Sequence, residues 1–370
     1  MINEKRLVKL FCDLVEIDAP SRQERLMADR ASALLQLLGC EVFEDHASAA
    51  IGGNCGNLYA SLDGTLPGPP LLLAVHLDTV EPCRGKHAVI SDDNIIRSQG
   101  NTILGADDLA GLSSVVEAIQ SLKEDGISHR SLEILLSVAE EQHLTGSHHL
   151  DLRRLTAREA YVLDTSGPPG LAVLQAPGHI VLNFEFIGQS SHAGISPETG
   201  VSAVQAAARG IAKLRLGRVD PISTANVGRI EGGGETNVIP DFCRVSAECR
   251  SLEAGRLREL ADEMRASMQA AADESNARLQ ISENTSYLPY QVAPNRPVVQ
   301  RFVSVCRKLE LPLRLTATGG GSDNNVLALH GIEGIVISCG MMNVHSCQEQ
   351  IAVSDLVDTA RLVQGLLCEI

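Results

Sequence analysis

Apolar residues recur along this chain in two rhythms, a helical stripe and short unbroken runs that end in acids or histidines. Leu7, Leu10, Phe11, Leu14 and Val15 form a helical stripe over Asn3–Ile17. Leu26, Met27, Leu34, Leu35 and Leu38 repeat it over Arg22–Leu38, with Gly39 as a stop. Leu71–Val75, after Pro69-Pro70, reads as a buried strand, as do Leu132–Val138 and Tyr161–Leu163. Asp107–Leu122 reads as a helix with an acidic first turn. Strands alternating with helices predict an α/β sheet covered on both faces.

The texture changes at Pro177-Gly178. His179–Ile187 alternates through Ile180, Leu182, Phe184 and Phe186, the mark of a half-buried strand. A helix over Ser202–Leu216 follows, then strands Ile222–Ile230 and Phe242–Arg250 around the turn-rich Glu231–Pro240. Helix Glu253–Glu274 and strand Ala277–Glu283 complete the order βαββαβ, which is that of a ferredoxin-like split unit. Residues 178–290 are therefore expected to form a small domain inserted into a discontinuous larger one, 1–177 with 291–370. After the linker Pro289–Pro297 come helix Val298–Leu309, strand Leu313–Thr316, helix Asp323–Leu329, strand Gly334–Ser338 and a closing helix Ser354–Leu367.

Composition narrows the classes. The 370 residues are 44% hydrophobic, enough for a substantial core, and carry 46 acids against 31 bases, a net charge of −15. That balance argues against nucleic acid and anionic membrane surfaces as partners. With 3% aromatic residues and no tryptophan, a base-stacking platform is not expected. Met1–Asp18 lacks the form of a secretory signal, and no stretch approaches the ~18 apolar residues of a membrane span. Ten scattered cysteines without C-x-x-C spacing read as reduced thiols of a cytoplasmic protein.

The polar tips of the apolar runs are the candidate chemistry. His76-Leu77-Asp78 follows one strand, and residues two apart on an extended segment point the same way. Asp78 is thus expected to accept the second ring N–H of His76 and fix its tautomer. Asp107-Asp108 opens a helix, where a dipole cap and a cation-bridging carboxylate are alternative readings. Glu140-Glu141 ends another buried strand, where unpaired acids are costly unless they are protonated or metal-bound. Asp164 ends a third strand, and His345 lies near the C-terminus with Glu349 four residues on. Two histidines and three carboxylates suffice as ligands for a pair of divalent, zinc-like ions, with one glutamate left as a base.

In order, the segments His76-Leu77-Asp78-Thr79-Val80, Gly105-Ala106-Asp107-Asp108-Leu109-Ala110-Gly111, Glu140-Glu141, Asp164 and His345 with Glu349 resemble the co-catalytic dizinc exopeptidases and amidohydrolases. That family includes peptidase T, glutamate carboxypeptidase and acetylornithine deacetylase, and the chain is most similar to its peptidase T-like members over essentially its whole length. The resemblance implies a zinc-exopeptidase-like αβα catalytic domain with a central mixed sheet, and an inserted ferredoxin-like dimerisation or lid domain. It further implies that Asp107 bridges two ions, that His76 and Asp164 complete one and Glu141 and His345 the other, and that Glu140 is the base acting on a metal-bridged water while Asp78 orients His76. Mixed nitrogen and oxygen ligands without thiolate suit Zn2+, with Co2+ or Mn2+ as substitutes. The chain departs from the usual family pattern at Leu109, where lysine is common, and at His143, where glycine is. Neither position is a ligand; both bear on substrate preference and loop shape.

Three further loops follow the family pattern. Gly188–Gly194 carries His192, whose counterpart in relatives reaches the partner subunit's site and stabilises the oxyanion. The turn Gly232–Pro240 carries Asn237, implied to contact substrate, and Arg250 ends the next strand, where it can pair with a substrate carboxylate. Thr318–Asp323 is a glycine-rich helix start, and the resemblance places Gly320, Gly321 and Ser322 by the substrate's main chain. The expectation is a homodimeric two-metal hydrolase, joined through 178–290, that cuts an amide bond of small peptides in the manner of a peptidase T-like aminopeptidase or tripeptidase. An N-acyl amino acid deacylase, a carboxypeptidase, a non-catalytic metal-binding scaffold and a dinuclear phosphoesterase are the alternatives.

Overall fold

The unbroken apolar runs become neighbours in the middle of one sheet. The computed structural model describes residues Met1–Glu369. The chain first forms α1 (Glu4–Val15), α2 (Arg25–Leu37), β1 (Glu41–Glu44), α3 (Ala47–Ile51), β2 (Leu58–Leu62), β3 (Leu66–His76), β4 (Ala88–Ile90), β5 (Ile95–Ser98), α4 (Ala106–Glu124), β6 (Arg130–Ser137), β7 (Glu159–Thr165) and β8 (Leu171–Ala176). There follow β9 (Gly178–Ile187), α5 (Ala203–Lys213), β10 (Gly217–Asp220), β11 (Ser223–Gly232), β12 (Phe242–Ser251), α6 (Ala254–Glu274) and β13 (Arg278–Tyr287). The last stretch is β14 (Tyr290–Gln291), α7 (Pro297–Lys308), β15 (Arg314–Ala317), α8 (Asp323–Leu329), β16 (Glu333–Ser338), β17 (Met341–Met342), β18 (Gln350–Ala352) and α9 (Val353–Cys368).

Two compact units result. One contains Met1–Leu174, Gln291–Ala317 and Ser322 onward; the other contains Gln175–Tyr290 with Thr318–Gly321. The glycine-rich stretch thus groups with the smaller unit.

The larger unit is built on a nine-stranded mixed sheet in the order β1-β2-β6-β3-β7-β16-β8-β14, with β15 beside β8. Its centre is parallel: β3 runs parallel to β6 and β7, and β16 parallel to β7. Leu71–His76 of β3 are all buried, as a parallel strand covered on both faces requires. Helix α4 packs against β3 and β7 as well as α1 and α9. Gly111 permits the approach to β7, because a Cβ there would sit 2.9 Å from Leu163 Cβ and 2.6 Å from Asp108 Oδ1. A separate four-stranded sheet, β17-β18-β5-β4, was not visible as strand pattern in the sequence. It matters because the loop between β17 and β18 carries His345.

The smaller unit is an antiparallel sheet ordered β10-β11-β12-β9-β13. Without the edge strand β10 it is the ferredoxin-like βαββαβ arrangement. Phe184 and Phe186 of β9, Val245 of β12, Ala206 of α5, and Leu260, Met264 and Met268 of α6 form its core. Burying each large side chain contributes roughly 2 kcal/mol. All ten cysteines of the chain are unpaired. Among the described residues no helix is long and apolar enough to cross a membrane.

Candidate metal centre and active site

Register delivers the candidate ligands to one sheet edge. His76, the last residue of β3, pairs with Ser137, the last of β6, and the turn beyond Ser137 carries Glu140 and Glu141. Ala74 pairs with Val162, so Asp164, two residues on, is level with His76. Three adjacent parallel strands therefore end together, the usual place for a site in such sheets.

Asp107 arrives from the mouth of α4. Its dihedrals (φ −82°, ψ 99°) and those of Asp108 are not helical, so the dipole-cap reading gives way. Asp107 lies between two imidazoles: Oδ1 is 3.0 Å from His76 Nε2, and Oδ2 is 3.3 Å from His345 Nε2. His345 Nε2 is also 2.9 Å from Glu141 Oε1. Ligand atoms of His76, Asp107 and Glu141 all lie within 4.8 Å of one another, and so do those of His76, Glu140 and Asp164.

Neighbouring acids fix this arrangement. Glu349 accepts the N–H groups of Leu104 (2.8 Å), Gly105 (2.7 Å) and Asp107 (2.9 Å), which anchors the approach to α4. Asp78 acts differently from expectation. His76 Nδ1 meets the backbone carbonyl of Asp78 at 2.9 Å, while the Asp78 carboxylate stands 3.6 Å away. The carboxylate turns instead to the Glu140 and Glu141 N–H groups, at 3.0 and 3.2 Å, and accepts from Ser21 Oγ at 2.6 Å. The physical reason is the proximity of the β6 turn, whose N–H groups have no strand to pair with.

The electrostatics are those of crowded, buried acids. Burial, and then the charge of Asp164, pushes the Glu140 carboxyl well above its ordinary range. Burial likewise raises Glu141, and burial with the charge of Asp107 raises Asp164. Burial also opposes the charge of Asp107, but hydrogen bonds from His345 and His76 outweigh it and hold that carboxyl low. Asp107 and Glu141 push His345 up to about 10. Among the described residues no lysine or arginine pairs with Asp107, Glu140, Glu141 or Asp164. Imidazole nitrogens and carboxylate oxygens converging without a lysine or arginine among the described residues are a donor set that fits divalent metal.

Comparison with known proteins agrees with this chemistry. Residues 175–276 match the family profile described as the peptidase dimerisation domain, and residues 57–220 match that of peptidase family M28. The chain is 35% identical to YqjE of Bacillus subtilis, covering 100% of this chain and 99% of YqjE. Among solved structures, aminopeptidase PepT of Bacillus cereus is 38% identical, with 99% and 98% of the two chains covered and a TM-score of 0.92. A tripeptidase of Staphylococcus aureus is 33% identical, with 100% and 98% covered and a TM-score of 0.96. The chain belongs to the peptidase T-like metallopeptidases of the M20 family.

In this M20 metallopeptidase the dimerisation-domain match falls on the smaller unit, which also holds several expected site residues. His192 is exposed on its turn, and its Nδ1 accepts the Gly194 N–H at 3.1 Å. Asn237 is exposed in the adjoining loop, where its carbonyl accepts the Ala193 N–H at 2.9 Å. Arg250 is held by Glu248, through Nε at 3.2 Å and Nη2 at 3.3 Å, and gives Nη1 to the Gly319 carbonyl at 3.3 Å. Glu248 is itself bonded to His179 Nε2 at 2.9 Å. Gly320 donates its N–H to Thr318 Oγ1, and Gly321 leaves room for the Tyr287 ring, which a Cβ would approach to 2.3 Å. Ser322 serves the fold: it is buried and caps α8, accepting from the Asn324 N–H while its own N–H bonds to Asn325 Oδ1.

Other buried polar residues beside these groups left no mark in the chain's pattern. Asp323 is buried and accepts from Ser137 Oγ and Ser147 Oγ. Glu24 and Asn57 bond to the turn before Glu140. Each sits in ordinary polar sequence, and no apolar run points to it. His143 adopts φ 61°, the left-handed region glycine favours.

Proposed function

We propose that the chain is an aminopeptidase of tripeptidase type, which removes residues from short peptides with a free amino terminus. The observation that carries this reading is the Asp107 carboxylate, whose two oxygens face different imidazoles, His76 and His345. A carboxylate so placed suits a bridge between two divalent ions, His76 and Asp164 serving one, Glu141 and His345 the other, with zinc the best match to the donors. When bound, the ions lower the pKa of water and polarise the scissile carbonyl.

The chain's own residues do the remaining work. Glu140, raised by burial, takes a proton from the attacking water and hands it to the leaving nitrogen. Asp78 holds the Glu140 turn through two N–H groups and the His76 ring through its carbonyl. Arg250 keeps donors beyond those given to Glu248 and Gly319, and these anchor the peptide's carboxylate end. Asn237, Gly320 and Gly321 offer main-chain and amide contacts to the peptide. Ser322 contributes through its cap of the following helix. His192 stabilises the oxyanion of the partner subunit's site in a homodimer joined through residues 178–290. The names of the two similar solved structures, an aminopeptidase and a tripeptidase, support the substrate class. The acidic, unpaired-thiol composition supports a cytoplasmic protein.

Metal analysis coupled to a substrate panel tests this. Zinc-loaded enzyme is expected to hydrolyse free tripeptides and to fail on their N-acetylated forms. Faster turnover of N-acyl amino acids, or release from the carboxyl end, replaces the reading with deacylase or carboxypeptidase. Full metal occupancy with no turnover on the panel replaces it with a scaffold.

A further inference from the structure

The N–H groups of the turn that presents Glu140 and Glu141 are held by side chains. Four consecutive N–H groups donate to them: Val138 to Asn57 Oδ1 (3.1 Å), Ala139 to Glu24 Oε1 (2.9 Å), Glu140 to Asp78 Oδ1 (3.0 Å) and Glu141 to Asp78 Oδ2 (3.2 Å). Buried N–H groups need acceptors, and at this point β6 has ended and no strand supplies them. Ala139 stands at φ 50°, a conformation a residue with a Cβ leaves unless it is held. The group that holds its N–H is Glu24.

Glu24 is itself an unusual acid. It is fully buried, its Oε1 also accepts the Arg22 N–H at 2.7 Å, and its Oε2 has no hydrogen-bond partner among the described residues. A carboxyl in such a place is costly to keep. Its segment also touches the site's frame elsewhere: Pro20 bridges to Thr79, and Ser21 Oγ reaches Asp78.

We propose that Glu24 is a positioning residue for hydrolysis. By accepting the Ala139 N–H it keeps Ala139 left-handed, and this aims the carboxylate of the next residue, Glu140. The proposal rests on Glu140 being the general base. A base must come within roughly 2.6–3.2 Å of the proton it takes. The Thr145 and Leu144 N–H groups hold the Ala139 and Glu140 carbonyls at 3.1 and 2.8 Å, so release of the Ala139 N–H loosens one side of the peptide directly before Glu140. A misplacement of about 1 Å can cost on the order of 100-fold in rate. The role needs an acceptor oxygen and not a charge, so glutamine can fill it.

The test compares Glu24→Ala, Glu24→Gln, Glu24→Asp and Glu140→Gln as folded, metal-loaded enzymes on one tripeptide. Glu24→Ala should lose roughly 30- to 100-fold in kcat, with KM within about threefold and metal content unchanged. Glu24→Gln should recover at least about a third of wild-type kcat. Should Glu24→Ala not fold, Glu24→Asp, one methylene short of the Ala139 N–H, should lose at least about tenfold. A kcat within about twofold of wild type in the alanine variant, or in the aspartate variant where alanine fails to fold, overturns the proposal. So does a glutamine variant as impaired as alanine, or a kcat loss that only tracks lost metal. Activity retained in Glu140→Gln defeats the base assignment itself, whereas an inactive Glu140→Gln beside normal Glu24 variants defeats only the role of Glu24.

Discussion

The two ends of the central parallel strands bury charge in opposite ways. At the amino ends, Arg130 opens β6 and Glu159 opens β7, and Arg301 of α7 reaches Glu159 at 2.5 Å and the Tyr161 hydroxyl at 3.3 Å. Burial and the charge of Arg301 lower Arg130, while Glu159 acts in the opposite sense, so the chain supplies both signs there. At the carboxyl ends Asp107, Glu140, Glu141 and Asp164 crowd together around His76 and His345, with no lysine or arginine paired to them among the described residues. Charge cancelled within the chain is structural. Charge left uncancelled in a buried place marks where something outside the chain completes the structure, and here the donor types name a divalent cation.

The sharpest way to break this comparison is to remove the shared carboxylate. Asp107→Asn should abolish measurable hydrolysis, with bound metal falling from about two ions per chain to below one by elemental analysis. Glu140→Gln should keep its metal and lose about 1000-fold in kcat, which separates the base from the ligands. At the opposite end, Arg301→Met leaves Glu159 without its ion pair. It should cost about 3 kcal/mol in denaturant unfolding while metal content and kcat stay unchanged.

The smallest effect sharpens the contrast with the ferredoxin-like unit. There His179 first, and Arg250 next, lower the Glu248 carboxyl to about 2 against the opposing effect of burial. A depressed carboxyl stabilises the fold above its ordinary range and loses that contribution as pH falls towards the folded value. Glu248→Gln should therefore cost about 1 kcal/mol at neutral pH, a modest figure because the side chain is one-third exposed. The difference from wild type should close between about pH 4.5 and pH 2. A pH-independent difference would show that packing, not charge, accounts for it.

The site was legible where chemistry ends an apolar run. His76, Glu140, Glu141 and Asp164 each lie at or just past the end of a buried apolar run, and runs ending in acids and imidazoles pointed to one sheet edge. His345 was the least legible ligand, lying near the C-terminus without an apolar run of its own. The strands around it are two and three residues long, pair with each other, and join β5, far away in the chain, only through the second of them. For Asp78 it is the accepting group, the backbone carbonyl and not the carboxylate, that differs from the expected one, for a related reason. The i, i+2 rule sees its own strand, whereas the groups it bonds belong to the turn after the neighbouring one. Glu24 was invisible because Ser21–Arg25 reads as a polar helix start, and only tertiary contact shows it buried beneath Ala139.

Anomalous diffraction at the zinc edge, on crystals grown with zinc, tests the central claim most directly. Two peaks about 3.5–4 Å apart are expected on either side of Asp107, one beside His76 and Asp164, the other beside Glu141 and His345. A site with no peak, or with a single ion that Asp107 does not touch, would contradict the account.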